Sequence, residues 1–192
     1  MRVLIACEFS GTVRDAFTAR GHDAWSCDLL PTEKPGQHMV ADAIEVAYGM
    51  HWDLMIAHPP CTHLAVSGAR WFKDKLVEQT EALEFVRALL AAPISKIALE
   101  NPVSIISSRI RKPDQIIQPY QYGEPITKTT CLWLKGLPLL VPTNIVDKGE
   151  RHVTKSGRSL PKWYNLPRSP DRWRKRSKTV VGIAEAMAAQ WG

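Results

Sequence analysis

Apolar positions along the chain fall into short continuous runs separated by stretches of helical period. Residues 2–7, RVLIAC, form a β-branched and apolar run of the kind that makes a strand buried on both faces, leading straight into Glu8-Phe9-Ser10-Gly11. Residues 12–20 place Val13, Ala16, Phe17 and Arg20 on related faces of a helix that Gly21 stops. Residues 22–28, HDAWSCD, read as a second strand ending on an acid. After a loop with Pro31 and Pro35, residues 39–40 read as an edge strand, 43–48 as a short helix and 53–57, DLMIA, as the next buried strand. It runs into His58-Pro59-Pro60-Cys61, where two prolines forbid continuation of a sheet and force a rigid loop.

Residues 74–92 carry a helical stripe through Leu76, Val77, Thr80, Leu83, Val86, Leu89 and Leu90, and Pro93 ends it. A strand over 94–99 then stops at Glu100-Asn101-Pro102. Strands alternating with helices, each with polar residues just past its end, predict a Rossmann-like, open and mostly parallel α/β sheet with helices on both faces. Its ligands should lie along the carboxyl edge. Over 103–142 the pattern is weaker: 131–134 reads as a strand after the loop QYGEPITKTT. Residues 148–178 read as an irregular excursion with Trp163, Tyr164 and Trp173 interleaved, and 180–191 as a closing Ala-rich helix. A length of 192 residues fits a single domain spanning 1–192.

Charge changes this picture in one place. The net charge is +6, and residues 148–178 hold eleven Lys and Arg against two acids, so the remainder is net negative. One basic segment points to a phosphate-rich partner. With 45% hydrophobic and 23% charged residues, and no apolar run near the roughly 18 residues that span a bilayer, a membrane protein is not expected. The start, MRVLIACEFSG, lacks a signal-peptide core, and the four cysteines at 7, 27, 61 and 131 include no Cys-x-x-Cys pair. Reduced thiols, a cytoplasmic location and a monomer are the expectation.

Several residues carry candidate chemistry. Glu8-Phe9-Ser10-Gly11 lacks the full dinucleotide fingerprint, but Asp28, seventeen residues after Gly11, ends the next strand where an acid can accept from ribose hydroxyls. Asp42 adds a third polar group on that edge, and together they describe a site for a nucleoside-containing cofactor. Cys61, held by two prolines, is a candidate nucleophile. His58 and His63 flank it at no common zinc spacing, and the second cysteine of a zinc deaminase signature is missing. Glu100, at a strand end, is expected to have a pKa raised by burial and so to donate a proton to a ring nitrogen. A thiolate and an acid at neighbouring strand ends suit an electron-poor heterocycle.

Phe-x-Gly after the first strand, an acid ending the second, Asp42, Pro-Pro-Cys after the fourth and Glu-Asn after the fifth resemble, in order and spacing, the motifs of C5 cytosine DNA methyltransferases. The resemblance covers residues 1–102, with 131–137 and 180–191 similar to later elements of the family. It implies an S-adenosylmethionine-dependent fold with Phe9, Gly11 and Pro59 lining the cofactor, Asp28 on its ribose and Asp42 on its adenine. It further implies that Cys61 attacks C6 of cytosine, that Glu100 binds N3, and that C5 takes the methyl group. Thr62 stands where the family usually has Gln, and Lys128 is the nearest counterpart of its base-contacting Gln/Arg motif. Only the basic segment, with Arg172, Arg174, Lys175 and Arg176, could replace the family's large target-recognition domain. A phage or mobile-element origin fits so compact a member.

The leading expectation is therefore methyl transfer to cytosine C5 in duplex or single-stranded DNA, held by phosphate contacts with little sequence discrimination. Alternatives are C5 modification of a free cytosine nucleotide, transfer of a different one-carbon group, or a catalytically silent DNA- or cofactor-binding module.

Overall fold

The computed structural model describes residues 1–162, 169 and 172–192, the side chains of Trp71, Trp173 and Lys175 apart. The chain opens with β1 (Arg2–Ala6), α1 (Thr12–Thr18), β2 (Asp23–Asp28), β3 (His38–Val40) and α2 (Ala43–Gly49). There follow β4 (Leu54–Ala57), a 3-10 segment over Val66–Asp74, α3 (Leu76–Ala91), β5 (Lys96–Asn101), α4 (Ile106–Arg109) and β6 (Gln115–Ile117). The chain continues through β7 (Thr130–Lys135), β8 (Arg151–Val153), β9 (Ser159–Pro161), α5 (Arg172–Ser177) and α6 (Val181–Trp191).

Seven strands form one sheet in the order β3-β2-β1-β4-β5-β7-β6. β1 to β5 are parallel, and β7 runs antiparallel between β5 and β6. This is the Rossmann-like, mostly parallel α/β architecture that the alternation of strands and helices predicts.

Central parallel strands are covered on both faces, which is why β1 and β4 read as unbroken apolar runs. Val3, Ile5, Leu54 and Ile56 point to one face and cluster with Val13 and Phe17 of α1 and Ile183, Met187 and Trp191 of α6. Leu4, Ala6, Met55 and Ala57 point to the other, against Val46 of α2 and Leu83, Val86 and Leu89 of α3. Each fully buried Leu, Ile, Met or Phe in these layers stabilises the fold by roughly 1.5–3 kcal/mol relative to exposure.

Three segments differ from expectation. β5 extends through Glu100 and Asn101, because β7 pairs with both, Glu100 opposite Leu132 and Asn101 opposite Cys131. The weakly patterned stretch before β7 holds α4 and β6. The basic segment, expected to be irregular, contains a β8–β9 hairpin that turns through Gly157 at φ 77°, and then α5. Among the described residues no helix is long and apolar enough to cross a membrane.

The strand order fixes where a ligand can go. From β1 the chain builds outward through β2 to β3, then returns to place β4 and β5 on the other side of β1. The order reverses between β1 and β4, and in open α/β sheets such a switch point leaves a crevice beyond the carboxyl ends of the strands. Cys7–Gly11 leave β1 there, and His58–Cys61 leave β4.

Candidate active site

The turn after β1 is built around a buried carboxylate. Glu8 Oε1 accepts from the backbone N–H of Val13 at 2.7 Å and Oε2 from that of Arg14 at 3.2 Å, so its side chain caps α1. Such donors have no partner inside the helix and need one supplied. Gly11, the residue just before α1, lies at φ 70°, in the left-handed region that glycine adopts without strain. Cys7 is the one non-glycine with positive φ among the described residues, at 59°. A backbone so held costs of order 1–3 kcal/mol and tends to occur at functional sites. Arg14, almost wholly buried, donates to Ser26, Thr32 and Asp15 side chains and to the carbonyls of Lys34 and Pro35, fastening the loop after β2 beneath the turn.

Two cavities open along the edge, and Cys7 lines both. One is walled by Asp28, Leu29, Ala41, Asp42, Ala43, Pro60 and Phe85. The two acids singled out in the sequence thus meet in one cavity. Each uses Oδ1 locally: Asp28 accepts from Leu30 N–H at 2.9 Å, and Asp42 caps α2 through Ile44 N–H at 2.7 Å. Among the described residues, the Oδ2 atoms take no hydrogen bond. Burial pushes the Cys7 and Cys27 thiols up, and the negative charge of Asp28 adds to the effect, bringing Cys27 to about 11. Pro59 lies buried below, its carbonyl accepting from Asn101 Nδ2 at 2.9 Å, and Pro60 is the proline in the wall.

The second cavity is lined by Glu8, Phe9, Ser10, His58, Ser177, Lys178 and Thr179. Gly11 is in neither wall; it shapes the turn.

Glu100 stands beside it. His58 Nδ1 lies 2.8 Å from Glu100 Oε2, and Thr179 Oγ1 donates to the same oxygen at 3.2 Å. Burial would raise the pKa of this carboxyl, but the hydrogen bond and charge of His58, the charge of Lys128 and the Thr179 bond together take it down to about 2. The expectation of a raised pKa is therefore corrected: donors from two distant segments outweigh desolvation, and Glu100 is ionised near neutral pH.

Cys61 sits in the turn beyond β4, its carbonyl accepting from Leu64 and Ala65 N–H at 3.1 and 2.9 Å. Although the residue is exposed, the protein around its thiol pushes the pKa up; Glu100 raises it further, while Lys128 and Arg176 pull it down. Cys61, Glu100, Lys128 and Arg176 thus share one electrostatic neighbourhood. The resting group is a thiol.

The arm that carries Thr179 folds across this edge. Glu33 pairs with Lys178 and, at 3.6 Å, with Arg174, whose guanidinium also lies 5.9 Å from the centre of the Phe9 ring. Lys128 Nζ donates to the carbonyl of Lys178 at 3.3 Å. Arg172 and Arg176 are half-buried in the same arm. Trp163, Tyr164 and the side chains of Trp173 and Lys175 lie outside the described residues. Sequence reasoning did not find Glu8, Arg14, Glu33 or Thr179, and read His58 only as a flank of Cys61.

No family model and no curated protein matches the chain. Among the solved structures that match is a protein encoded within an E. coli prophage and named as a candidate DNA modification methyltransferase. It is 14% identical with a TM-score of 0.49, and the match covers 76% of this chain and 51% of that one. The chain spans about half the length of that protein.

Proposed function

We propose that the chain is an S-adenosylmethionine-dependent transferase that methylates C5 of cytosine in DNA through a covalent Cys61–C6 adduct. The observation that supports this best is that, along the carboxyl edge of one sheet, a thiol just past β4 and a hydrogen-bonded carboxylate from the end of β5 lie within electrostatic reach of each other. A cavity holding Asp28 and Asp42 adjoins them.

That cavity suits a nucleoside. Two carboxylate oxygens that take no hydrogen bond among the described residues can accept from ribose hydroxyls and an exocyclic amine, and Leu29 and Phe85 supply apolar surface for a purine. Asp28, Asp42 and Pro60 would hold the adenosine, with Phe9 on the neighbouring wall and Gly11 shaping the turn. When bound, S-adenosylmethionine supplies an electrophilic methyl group.

The remaining steps belong to the chain. Cys61 must ionise on substrate engagement, helped by the positive charges of Lys128 and Arg176. Its thiolate forms a bond to C6, the C5–C6 electron pair moves toward the ring, and negative charge grows at N3, where Glu100 directs a proton. C5 becomes nucleophilic, and after transfer it gives its proton to water while the S–C6 pair leaves with sulfur and restores the Cys61 thiolate. The basic segment holds the DNA backbone, with Lys128 and Arg176 nearest the base.

The pairing of Arg174 and Lys178 with Glu33 favours a second reading, because one of their two positive charges is offset and contributes less to phosphate binding: the acceptor is a free cytosine nucleotide. Incubation with radiolabelled S-adenosylmethionine and, in parallel, duplex DNA, single-stranded DNA and cytosine nucleotides separates the two. Label in DNA supports the first reading, label in the nucleotide alone supports the second, and label in none refutes both.

A further inference from the structure

We propose that His58 is the proton source for N3 of the substrate pyrimidine, passing its Nδ1 proton through Glu100. This rests on the reaction proposed above, and it assigns a role to a residue that the family resemblance leaves without one.

Glu100 cannot serve as a standing acid, because its Oε2 is the shared acceptor of His58 Nδ1 at 2.8 Å and Thr179 Oγ1 at 3.2 Å. Both donors favour the carboxylate. The addition of a thiolate nevertheless needs a proton at N3, so that proton must come from a group bonded to Glu100. Thr179 gives up its hydroxyl proton far too reluctantly. His58 is the titratable member, its side chain only 10% exposed and therefore held in one place. Its backbone is fixed as well, the N–H donating to the Ala6 carbonyl at 2.9 Å, so the ring is carried by the same β1–β4 junction that positions the Cys61 loop. Among the described residues Nε2 is buried without a hydrogen-bond partner, and Nδ1, which faces Glu100 at 2.8 Å, has Thr179 Oγ1 farther off at 3.5 Å.

Water is the one further reactant: the Cys61 thiol gives it a proton on substrate engagement, and the step then runs from that thiolate and a His58 ring protonated on both nitrogens. The S–C6 bond forms, the Nδ1 proton moves to Glu100 and from there to N3, and His58 is left neutral while Glu100 is a carboxylate again. Collapse of the adduct runs the route backwards. His58 borders the cavity walled by Cys7, Glu8, Phe9, Ser10, Lys178 and Thr179. Among the described residues, the charged and titratable groups around it are Glu100 from β5, Cys7 and Glu8 from the turn after β1, Lys178 from the arm, Lys128 ahead of β7, and Cys61 on its own loop. Glu8 is occupied with α1 and Lys178 with Glu33, which leaves Glu100 as the acceptor for Nδ1.

The test needs no cofactor. A reversible Cys61–C6 adduct exchanges the C5 hydrogen of cytosine with deuterated water, and mass spectrometry of the acceptor reads the rate. Because the addition requires a deprotonated thiol and a protonated imidazole, the wild-type rate should follow a bell in pH. His58→Asn keeps a side-chain amide to bond Glu100 but has no proton to give at neutral pH. It should slow exchange by about 10²–10⁴-fold and convert the bell into a steady rise toward alkaline pH. Thr179→Val, which removes only a hydrogen bond, should leave the bell in place at a lower rate. If His58→Asn exchanges at the wild-type rate, or is slow but keeps the bell, His58 is not the proton source. If the folded wild-type protein exchanges no hydrogen in any cytosine-bearing acceptor, the proposed reaction itself fails, and this inference with it.

Discussion

Asp28 offers a close test of the cofactor cavity, because its two oxygens have separate duties. Oδ1 accepts from Leu30 N–H at 2.9 Å and shapes the loop after β2, whereas Oδ2 takes no hydrogen bond among the described residues. Asp28→Asn can keep the first bond and replaces Oδ2 with an amide that donates, so the fold should survive while acceptance from ribose hydroxyls is lost. A hydrogen bond to a charged acceptor is worth about 1.5–3 kcal/mol. At about 1.4 kcal/mol per tenfold, affinity for S-adenosylmethionine or its demethylated product should fall about 10- to 150-fold. Titration calorimetry measures this directly, with thermal unfolding of the free protein as the control for folding. Asp42→Asn makes a matched comparison, since Asn caps a helix as well as Asp does. Undiminished affinity in a well-folded Asp28→Asn protein would refute the assignment of Oδ2 to a ribose.

Other consequences follow from the same contacts. Glu8→Ala strips two buried helix N–H groups of their acceptor and should cost about 1–3 kcal/mol in urea unfolding. Arg14→Met leaves the Lys34 and Pro35 carbonyls without their donor and should lower stability by at least about 2 kcal/mol in the same experiment. Glu100 has a folded pKa of about 2 against an ordinary value of 4.5, so the unfolded chain takes up its proton first as pH falls. Its stabilisation, of order 3 kcal/mol, should be present above about pH 4.5 and be lost progressively between there and pH 2; Glu100→Gln should flatten that part of a urea-unfolding series. Neutralising Arg172, Arg174, Lys175 and Arg176 should reduce the logarithmic salt slope of duplex binding by about 0.9 for each phosphate contact removed. An unchanged slope would favour the nucleotide reading.

What the sequence made legible was set by locality. β1, β2 and β4 announce themselves because continuous burial on both faces demands continuous apolar residues, and α3 because its stripe repeats over sixteen residues. α4 and β6, of four and three residues, are too short to repeat anything. β6 exists through pairing, Gln115 opposite Leu132, which no local pattern records. The site divides the same way. Asp28, Asp42, Cys61 and Glu100 could be singled out as candidates because each follows or ends a recognisable strand or stands before a recognisable helix. Glu8 could not, since its value lies in a turn that folds back onto α1. The pKa of Glu100 was misjudged because burial can be read from an apolar strand, while the donors that oppose it, His58 and Thr179, stand forty-two and seventy-nine residues away in the chain.

Covalent trapping tests the central claim most directly. An acceptor carrying 5-fluorocytosine, incubated with the protein and S-adenosylmethionine, should yield a denaturation-resistant adduct, because fluorine at C5 cannot leave as a proton and the S–C6 bond cannot break. The adducted peptide should contain Cys61, and Cys61→Ser should form none, since a serine hydroxyl is barely ionised near pH 7. An adduct that persists in Cys61→Ser and maps to Cys7, Cys27 or Cys131, or no adduct from any such acceptor while the cofactor still binds, would contradict the account.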